Sequence, residues 1–247
     1  MSDIHQNFVY DQWLSQVMDC DVYHLVIDDD FTREVCGLES SDYLKLPRLQ
    51  SRPIFIYTKV PPLSTNLIKF ITNMGFNLVD TSIVFDRPIP KKSVTNNTCT
   101  ARFALPEDEI HVAELARNNF LYSRFHLDND IAPYIANKIK AEWARNYFTG
   151  LRGYKMVVVL VHDVIVGFLL LLKSGSSLII DLIAVHNQHR RKGIARDMIA
   201  YVECHLSFFS SMQVGTQLAN VPSIRLYEKM GFRVYKSNYV FHYHKTY

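Results

Sequence analysis

The chain has 247 residues, 48% hydrophobic and 21% charged, with 27 Lys and Arg against 24 Asp and Glu. This balance belongs to a folded globular protein and excludes disorder as the main state. The longest apolar run, Val164–Leu172, is bounded by His162, Asp163 and Lys173 and is too short to span a bilayer.

The chain start has neither the basic nor the apolar region of a signal peptide, so a cytoplasmic location is expected. Cys20, Cys36, Cys99 and Cys204 show no metal-type spacing and read as free thiols. Charge is uneven. Residues 1–95 hold nine Lys and Arg against twelve Asp and Glu; residues 96–247 hold eighteen against twelve. A basic second part suits a phosphate-bearing ligand, but without a Lys/Arg stripe it does not indicate nucleic acid.

In chain order, Val22–Ile27 and Ile54–Tyr57 read as strands from their β-branched and aromatic content. Leu63–Met74 reads as a helix, with Leu67, Ile68 and Ile71 on one face and Gly75 as its stop. Phe76–Phe85 follows as a strand. The polar stretch Lys91–Thr100 reads as a linker. It divides the chain into residues 1–95, a small α/β unit, and residues 96–247.

Two helices come next. Ala113, Ala116 and Phe120 mark the first; Ile135, Ile139, Trp143 and Tyr147, at spacing four, mark the second. Met156–Val161, Val164–Leu172 and Leu178–Val185 read as a strand meander. After it come a helix over 193–206, a strand Gln213–Leu218, a helix Ser223–Lys229, and two strands, Phe232–Lys236 and Tyr239–His244. The order predicts an α/β (α+β) fold with a mixed sheet and helices on both faces. Ile71-Thr-Asn-Met-Gly-Phe76 also echoes Tyr227-Glu-Lys-Met-Gly-Phe232.

The chemistry concentrates after Ile183-Ala184-Val185. There Arg190-Arg191-Lys192-Gly193-Ile194-Ala195 opens a helix. The first turn of a helix offers unpaired N–H groups and partial positive charge, and Gly193 and Ala195 leave room for a pyrophosphate. The Walker ending and the three-glycine dinucleotide pattern are both absent. Asn220 and Tyr227-Glu-Lys-Met-Gly-Phe232 follow at the next strand and helix.

Over residues 100–247 this arrangement resembles the GNAT superfamily of N-acetyltransferases. The resemblance implies acetyl-CoA as cosubstrate, held by Ile183, Ala184, Val185, Arg190–Ala195 and Asn220, with no metal. It implies Tyr227 as general acid and a mostly antiparallel sheet; the echo between Ile71–Phe76 and Tyr227–Phe232 is either chance or the mark of a first unit that is a smaller, partial version of the same fold. Shorter strings are similar to the TDP-fucosamine (dTDP-4-amino-4,6-dideoxygalactose) N-acetyltransferases: Gly75-Phe-Asn-Leu-Val-Asp80, Ser123-Arg124-Phe125, Val214-Gly-Thr-Gln217, and the aromatic strand Tyr239–Tyr243. They imply a small-molecule acceptor, a nucleotide-linked amino sugar; a homodimer is compatible. Asp80 stands where that family has Glu, and the coenzyme loop here is more basic.

On that resemblance Asp80 is a candidate base, with a solvated strand-end carboxylate as the alternative. Ser123 and Arg124 are candidates for acceptor binding, Arg124 through a phosphate; a surface ion pair is the other reading. His126 and Asp128 are weaker candidates. His242 and His244 share one strand face but lack an evident third ligand, so an exposed strand face is expected. Two rival functions stay open: acetylation of a protein or another small amine, and a CoA-binding regulatory domain without turnover.

Overall fold

The computed structural model describes residues 7–35, 52–90 and 100–245. Its first part runs β1 (Phe8–Tyr10), α1 (Gln12–Met18), β2 (Asp21–Leu25), α2 (Asp29–Val35), β3 (Ile54–Val60), α3 (Thr65–Asn73) and β4 (Asn77–Pro88). After the expected linker, most of which lies outside the described residues, come β5 (Thr100–Phe103), α4 (Glu109–Asn118) and α5 (Pro133–Arg145). The meander is β6 (Lys155–Val161), β7 (Val164–Ser174) and β8 (Ser177–Val185). The chain closes with α6 (Ile194–His205), β9 (Ser211–Gln217), α7 (Val221–Lys229) and β10 (Arg233–Lys245). Among the described residues, no helix is long and apolar enough to cross a membrane.

Among the described residues, ten strands form one sheet, in the order β1-β2-β3-β10-β4-β9-β8-β7-β6-β5. Only β2–β3 and β8–β9 are parallel. This is the mixed, mostly antiparallel sheet with helices that the sequence predicts. The halves interlock: β10 lies between β3 and β4, and β4 lies between β10 and β9. Arg87 of β4 forms an ion pair with Glu203 of α6 and gives Nη1–H to the Met230 carbonyl at 2.7 Å.

The echoed helix ends occupy matching places. Gly75 and Gly231 have φ of 87° and 83°. Phe76 N–H bonds to the Ile71 carbonyl at 3.2 Å, and Phe232 N–H to the Tyr227 carbonyl at 3.0 Å. Both helices thus end in the same left-handed glycine closure. Read from either end, β2-β3-β10 and β8-β9-β4 have the same directions: one parallel pair, then an antiparallel strand supplied by the other half.

Four elements escape the sequence patterns. β1 and β5 are too short for a clear alternation. α1 owes its start to one side chain: Asp11 Oδ1 accepts from Leu14 N–H at 2.9 Å. α2 is a short helix opened by acidic residues. One expectation is corrected. The last two strands are a single 13-residue strand, β10. Ser237 and Asn238 favour a turn locally, but they pair with Ile83 and Ser82. The extra residue is taken up by a register shift between Val234 and Lys236.

Four apolar clusters fill the two faces. One joins β8 and β9 to α6 and α7, and another joins β6–β8 to α4 and α5. A third lies under α2 and α3, and a fourth under α1 and α5. Gly231→Ala places a β-carbon in left-handed geometry and is expected to cost about 1–2 kcal/mol of unfolding free energy. Urea unfolding measures it, and Gly75→Ala should behave alike.

Candidate active site

β8 and β9 pair only from Ser177–Ser211 to Ile180–Val214. Beyond that they part. The cause is visible in the β7–β8 register, where Leu171 faces Ile180 but Leu170 faces Leu182, so Asp181 is an extra residue. The bulge also reverses the strand's faces. Leu178 and Ile180 pack on the α6 side, whereas Leu182 and Ala184 pack on the α4/α5 side. Asp181 Oδ2 accepts from Trp143 Nε1–H and Tyr147 O–H, each at 2.8 Å; Arg152 gives Nε–H at 2.7 Å to Oδ2 and Nη2–H at 2.8 Å to Oδ1. Burial would raise this carboxyl's pKa, but the Arg152 fork and the other donors hold it below the ordinary range.

The wedge therefore has one wall in Ile183-Ala184-Val185, whose inner backbone edge has no strand partner. At its mouth the chain turns through Arg191 (φ 62°) and Gly193 (φ 87°) into α6. Gly193 is the N-cap and brings no capping side chain, so the first N–H groups of α6 point outward unmet. A β-carbon on Gly193 would lie 3.2 Å from Arg196 Nη2. Among the described residues, Arg191 and Lys192 have no ion-pair partner. Arg190 is committed: Nε–H donates to the Val185 carbonyl at 3.1 Å and Nη2–H to the Asn119 carbonyl at 2.9 Å. Asn119 Oδ1 also accepts from Asn187 N–H at 3.0 Å. Asn119, unremarked in the sequence, ties the loop to the end of α4. A helix dipole, free N–H groups and free cations together make an anion site.

The other wall is β9 and α7. Asn220 caps α7: its Oδ1 accepts from Ser223 N–H at 3.4 Å, and its Nδ2–H donates to Thr216 Oγ1 at 3.2 Å. Tyr227 is 2% exposed. Its ring lies between Phe85 and Phe232, at 5.9 and 5.7 Å. It belongs to the same apolar cluster as Ile180 of β8 and Ile194 of α6. Its hydroxyl has no hydrogen-bond partner among the described residues, and burial raises its pKa.

Asp80 lies on the opposite sheet face. It stands across from Val240, which stands across from Lys59. Leu218 N–H bonds to the Thr81 carbonyl at 2.8 Å, which sets Asp80 beside the open end of β9. Asp80 is 7% exposed and its Oδ2 has no partner. Burial raises its pKa to about 6, opposed by Thr81 N–H and Lys59. This is not a solvated strand end.

Ser123 and Arg124 come from the α4–α5 loop. Ser123 is buried and its hydroxyl is 2.6 Å from His126 Nδ1; His126 Nε2 is 2.9 Å from Asn137 Oδ1. Ser123 thus fixes the loop from within. Arg124 is no surface ion pair. Its guanidinium lies over Tyr57 at 3.9 Å and over Phe125 at 4.3 Å. Its Nη1–H reaches His242 Nε2 at 3.2 Å. Tyr57 O–H donates to Asp11 Oδ2 at 3.0 Å.

The histidine pair departs from its expected exposure. His242 is 0% exposed, and its Nδ1 is 2.6 Å from Asp128 Oδ2; His244 Nε2 is 2.8 Å from the same oxygen. Strand spacing put both histidines on one face, but the partner is more than a hundred residues away in the chain. Asp128, His242 and His244 form a group that could in principle hold a cation. Their chemistry is already satisfied. His242 Nε2 accepts from Arg124, so Nδ1 carries the proton and donates it to Asp128.

Burial lowers the His242 pKa to about 4, only partly opposed by Asp128. The unfolded chain binds this proton below ~6.5 and the folded chain does not until about 4. Stability should therefore fall as pH drops through that window, by on the order of 1 kcal/mol per pH unit. Urea unfolding from pH 7 to 4.5 should show this slope, and His242→Asn should flatten it.

Residues 152–234 match the family described as an acetyltransferase (GNAT) domain. That stretch spans the wedge, the α6 loop and Tyr227; Asp80 and Arg124 lie outside it. Over 139 residues the chain is 35% identical to the spore coat polysaccharide biosynthesis protein SpsD of Bacillus subtilis (strain 168), covering 56% of this chain and 48% of that protein. The chain thus spans about half the length of this curated relative.

Similar solved structures include a GCN5-related N-acetyltransferase from Sphaerobacter thermophilus, with TM-score 0.55 and 16% identity over 78% of this chain and 60% of that one. A tandem GNAT protein from the clavulanic acid biosynthesis pathway gives TM-score 0.54 and 14% identity over 78% and 64%. A glucosamine N-acetyltransferase region of a fungal multi-domain GH3 beta-N-acetylglucosaminidase gives TM-score 0.57 and 12% identity over 76% and 25%. At such identities the likeness is one of fold, and the fold is GNAT.

Proposed function

We propose that this chain, which carries the GNAT fold, is an acetyl-CoA-dependent N-acetyltransferase whose acceptor is the amine of a nucleotide-linked amino sugar, of the dTDP-4-amino-4,6-dideoxyhexose type. The observation that carries the reading is the wedge between β8 and β9, with an anion-binding helix start at its mouth and a buried, unpartnered tyrosine behind it. The coenzyme pyrophosphate meets the N–H groups of Gly193, Ile194 and Ala195, with Arg191 and Lys192 alongside. The pantetheine arm runs along the free edge of Ile183, Ala184 and Val185. Arg190 and Asn220 shape the two walls.

The acceptor enters from the Asp80 face, under the loop holding Ser123 and Arg124, with residues 1–95 supplying part of its pocket. The neutral amine attacks the thioester carbonyl. The C–N bond forms, the C–S bond breaks, and the thiolate takes the Tyr227 phenol proton. The proton on the new amide nitrogen leaves toward Asp80, directly or through water. Burial raises Tyr227, but it raises a thiolate in the same cavity too, so the proton stays on the phenol until the C–S bond yields. No protein nucleophile is needed. The SpsD likeness supports a sugar-related acceptor, and the strings around Asp80, Ser123 and Gln217 support the TDP-fucosamine branch. The reaction is that of a soluble, cytoplasmic enzyme that needs no metal.

Tyr227→Phe should lower kcat at least about tenfold while coenzyme affinity, measured by calorimetry, barely changes, because only the proton donor is lost. Wild-type turnover would remove the assignment. For Asp80, kcat/KM should fall as pH drops through about 6, since the base form is lost there. Asp80→Asn should abolish that acid limb, and Asp80→Glu should restore most of the rate.

A further inference from the structure

Two cations near the acceptor face have no ion-pair partner of their own among the described residues. Of the carboxylates there, Asp80 keeps an oxygen without a partner, and the other three are occupied. Asp181 is taken by Arg152, Trp143 and Tyr147. Asp128 is taken by His242, His244 and the Asp130 N–H. Asp11 is taken by Tyr57 and the Leu14 N–H. Two cations remain. Arg124 touches Tyr57, Phe125 and His242, all uncharged as they stand.

Lys140, on α5, is 6% exposed. Its ammonium faces the rings of Trp143 at 4.8 Å, Phe120 at 5.1 Å and Phe125 at 5.9 Å. Among the described residues, neither cation has a carboxylate within ion-pair distance, and both touch the one ring of Phe125. Buried charges are ordinarily paired, because an unpaired one keeps its full desolvation cost. Aromatic faces recover only part of that cost.

We infer that Arg124 and Lys140 together grip an anionic group of the acceptor, a phosphate or a carboxylate, which gives both cations a direct ion-pair partner when it binds. This rests on the reading that the Asp80 face receives the acceptor, and it adds Lys140 as a residue that selects acceptors by charge. The Asp128–His242 pair holds Arg124 by its Nη1 edge. One further donor meets the Tyr57 hydroxyl, and those left over suit a planar or tetrahedral oxyanion.

The charged groups acting on Lys140 fit this arrangement. Burial lowers its pKa to about 7, Arg124 and Arg152 add to the lowering, and Asp181 opposes it. An anion seated between the two cations would draw the proton back and fix the ammonium as a cation. A lysine placed only for packing would need no such partner.

The test is anion binding by the full chain with its coenzyme site filled by desulfo-CoA, so that added anions cannot occupy the α6 start. Calorimetry is run with thymidine diphosphate and, separately, glucuronate; the arm that binds tells phosphate from carboxylate. At least one should bind with one site per chain. Lys140→Met and Arg124→Met should each weaken it at least about tenfold, Lys140→Arg should keep it, and desulfo-CoA affinity should not change. If Lys140→Met also loses desulfo-CoA, Lys140→Gln takes its place. The inference is overturned if neither anion binds more tightly than on the order of 10 mM, or if the Met or Gln variants bind as the wild type does. A protein that binds the anion but releases no thiol from acetyl-CoA would sink the proposed reaction and leave this site standing; the reverse result would do the opposite.

Discussion

Four hydrogen bonds on the Asp181 carboxylate hold the wedge open. They come from Trp143, Tyr147 and Arg152, on α5 and the segment after it. Without the bulge they stabilise, β8 would keep its alternation, Leu182 and Ala184 would turn to the α6 side, and the strand could go on pairing with β9. The opened edge, the exposed start of α6 and the placement of Tyr227 all follow from that one extra residue. The same carboxylate anchors α5 to the sheet, and α5 carries Lys140 beside the acceptor face. On the proposed reading, donor and acceptor sides are thus fixed to each other through Asp181.

The second constraint is the exchange of strands between the halves. β10 completes the first half and β4 completes the second. Asp80 reaches the site because β4 runs antiparallel to β9. Yet the halves are not chemically alike. Where the second opens α6 with Arg190-Arg191-Lys192-Gly193, the first opens α2 with Asp28-Asp29-Asp30, and Asp28 Oδ1 caps Phe31 N–H at 2.7 Å. A carboxylate fills the position that the second half leaves free for a phosphate. Part of the charge asymmetry along the chain lies here: three acidic residues open one helix and three basic residues precede the other.

Much of this was legible in the sequence because it is written in neighbouring residues. The helix start at Gly193 needs only a glycine and nearby cations. The twin closures at Gly75 and Gly231 need six residues each. The meander β6–β7–β8 shows itself by uninterrupted apolar runs. What escaped depends on contacts across the chain. The fusion of the last two strands into β10 requires partners on both sides, which override the turn preference of Ser237-Asn238. The burial of His242 requires Asp128 and Arg124 from a distant loop. The roles of Asp181 and Lys140 come from what surrounds them, since neither belongs to a recognisable string. Short β1 and β5 carry too few residues to reveal a period.

In the proposed reaction the wedge delivers an acetyl group to an amine on an anionic, nucleotide-linked sugar. The direct measurement is thiol release from acetyl-CoA across a panel of nucleotide-linked amino sugars, with polyamine and peptide controls. Rapid release is expected with at least one 4-amino-4,6-dideoxyhexose nucleotide, and little above background with the controls. Release with the polyamines or peptides alone would contradict the acceptor class, and no release with any amine would contradict the enzyme.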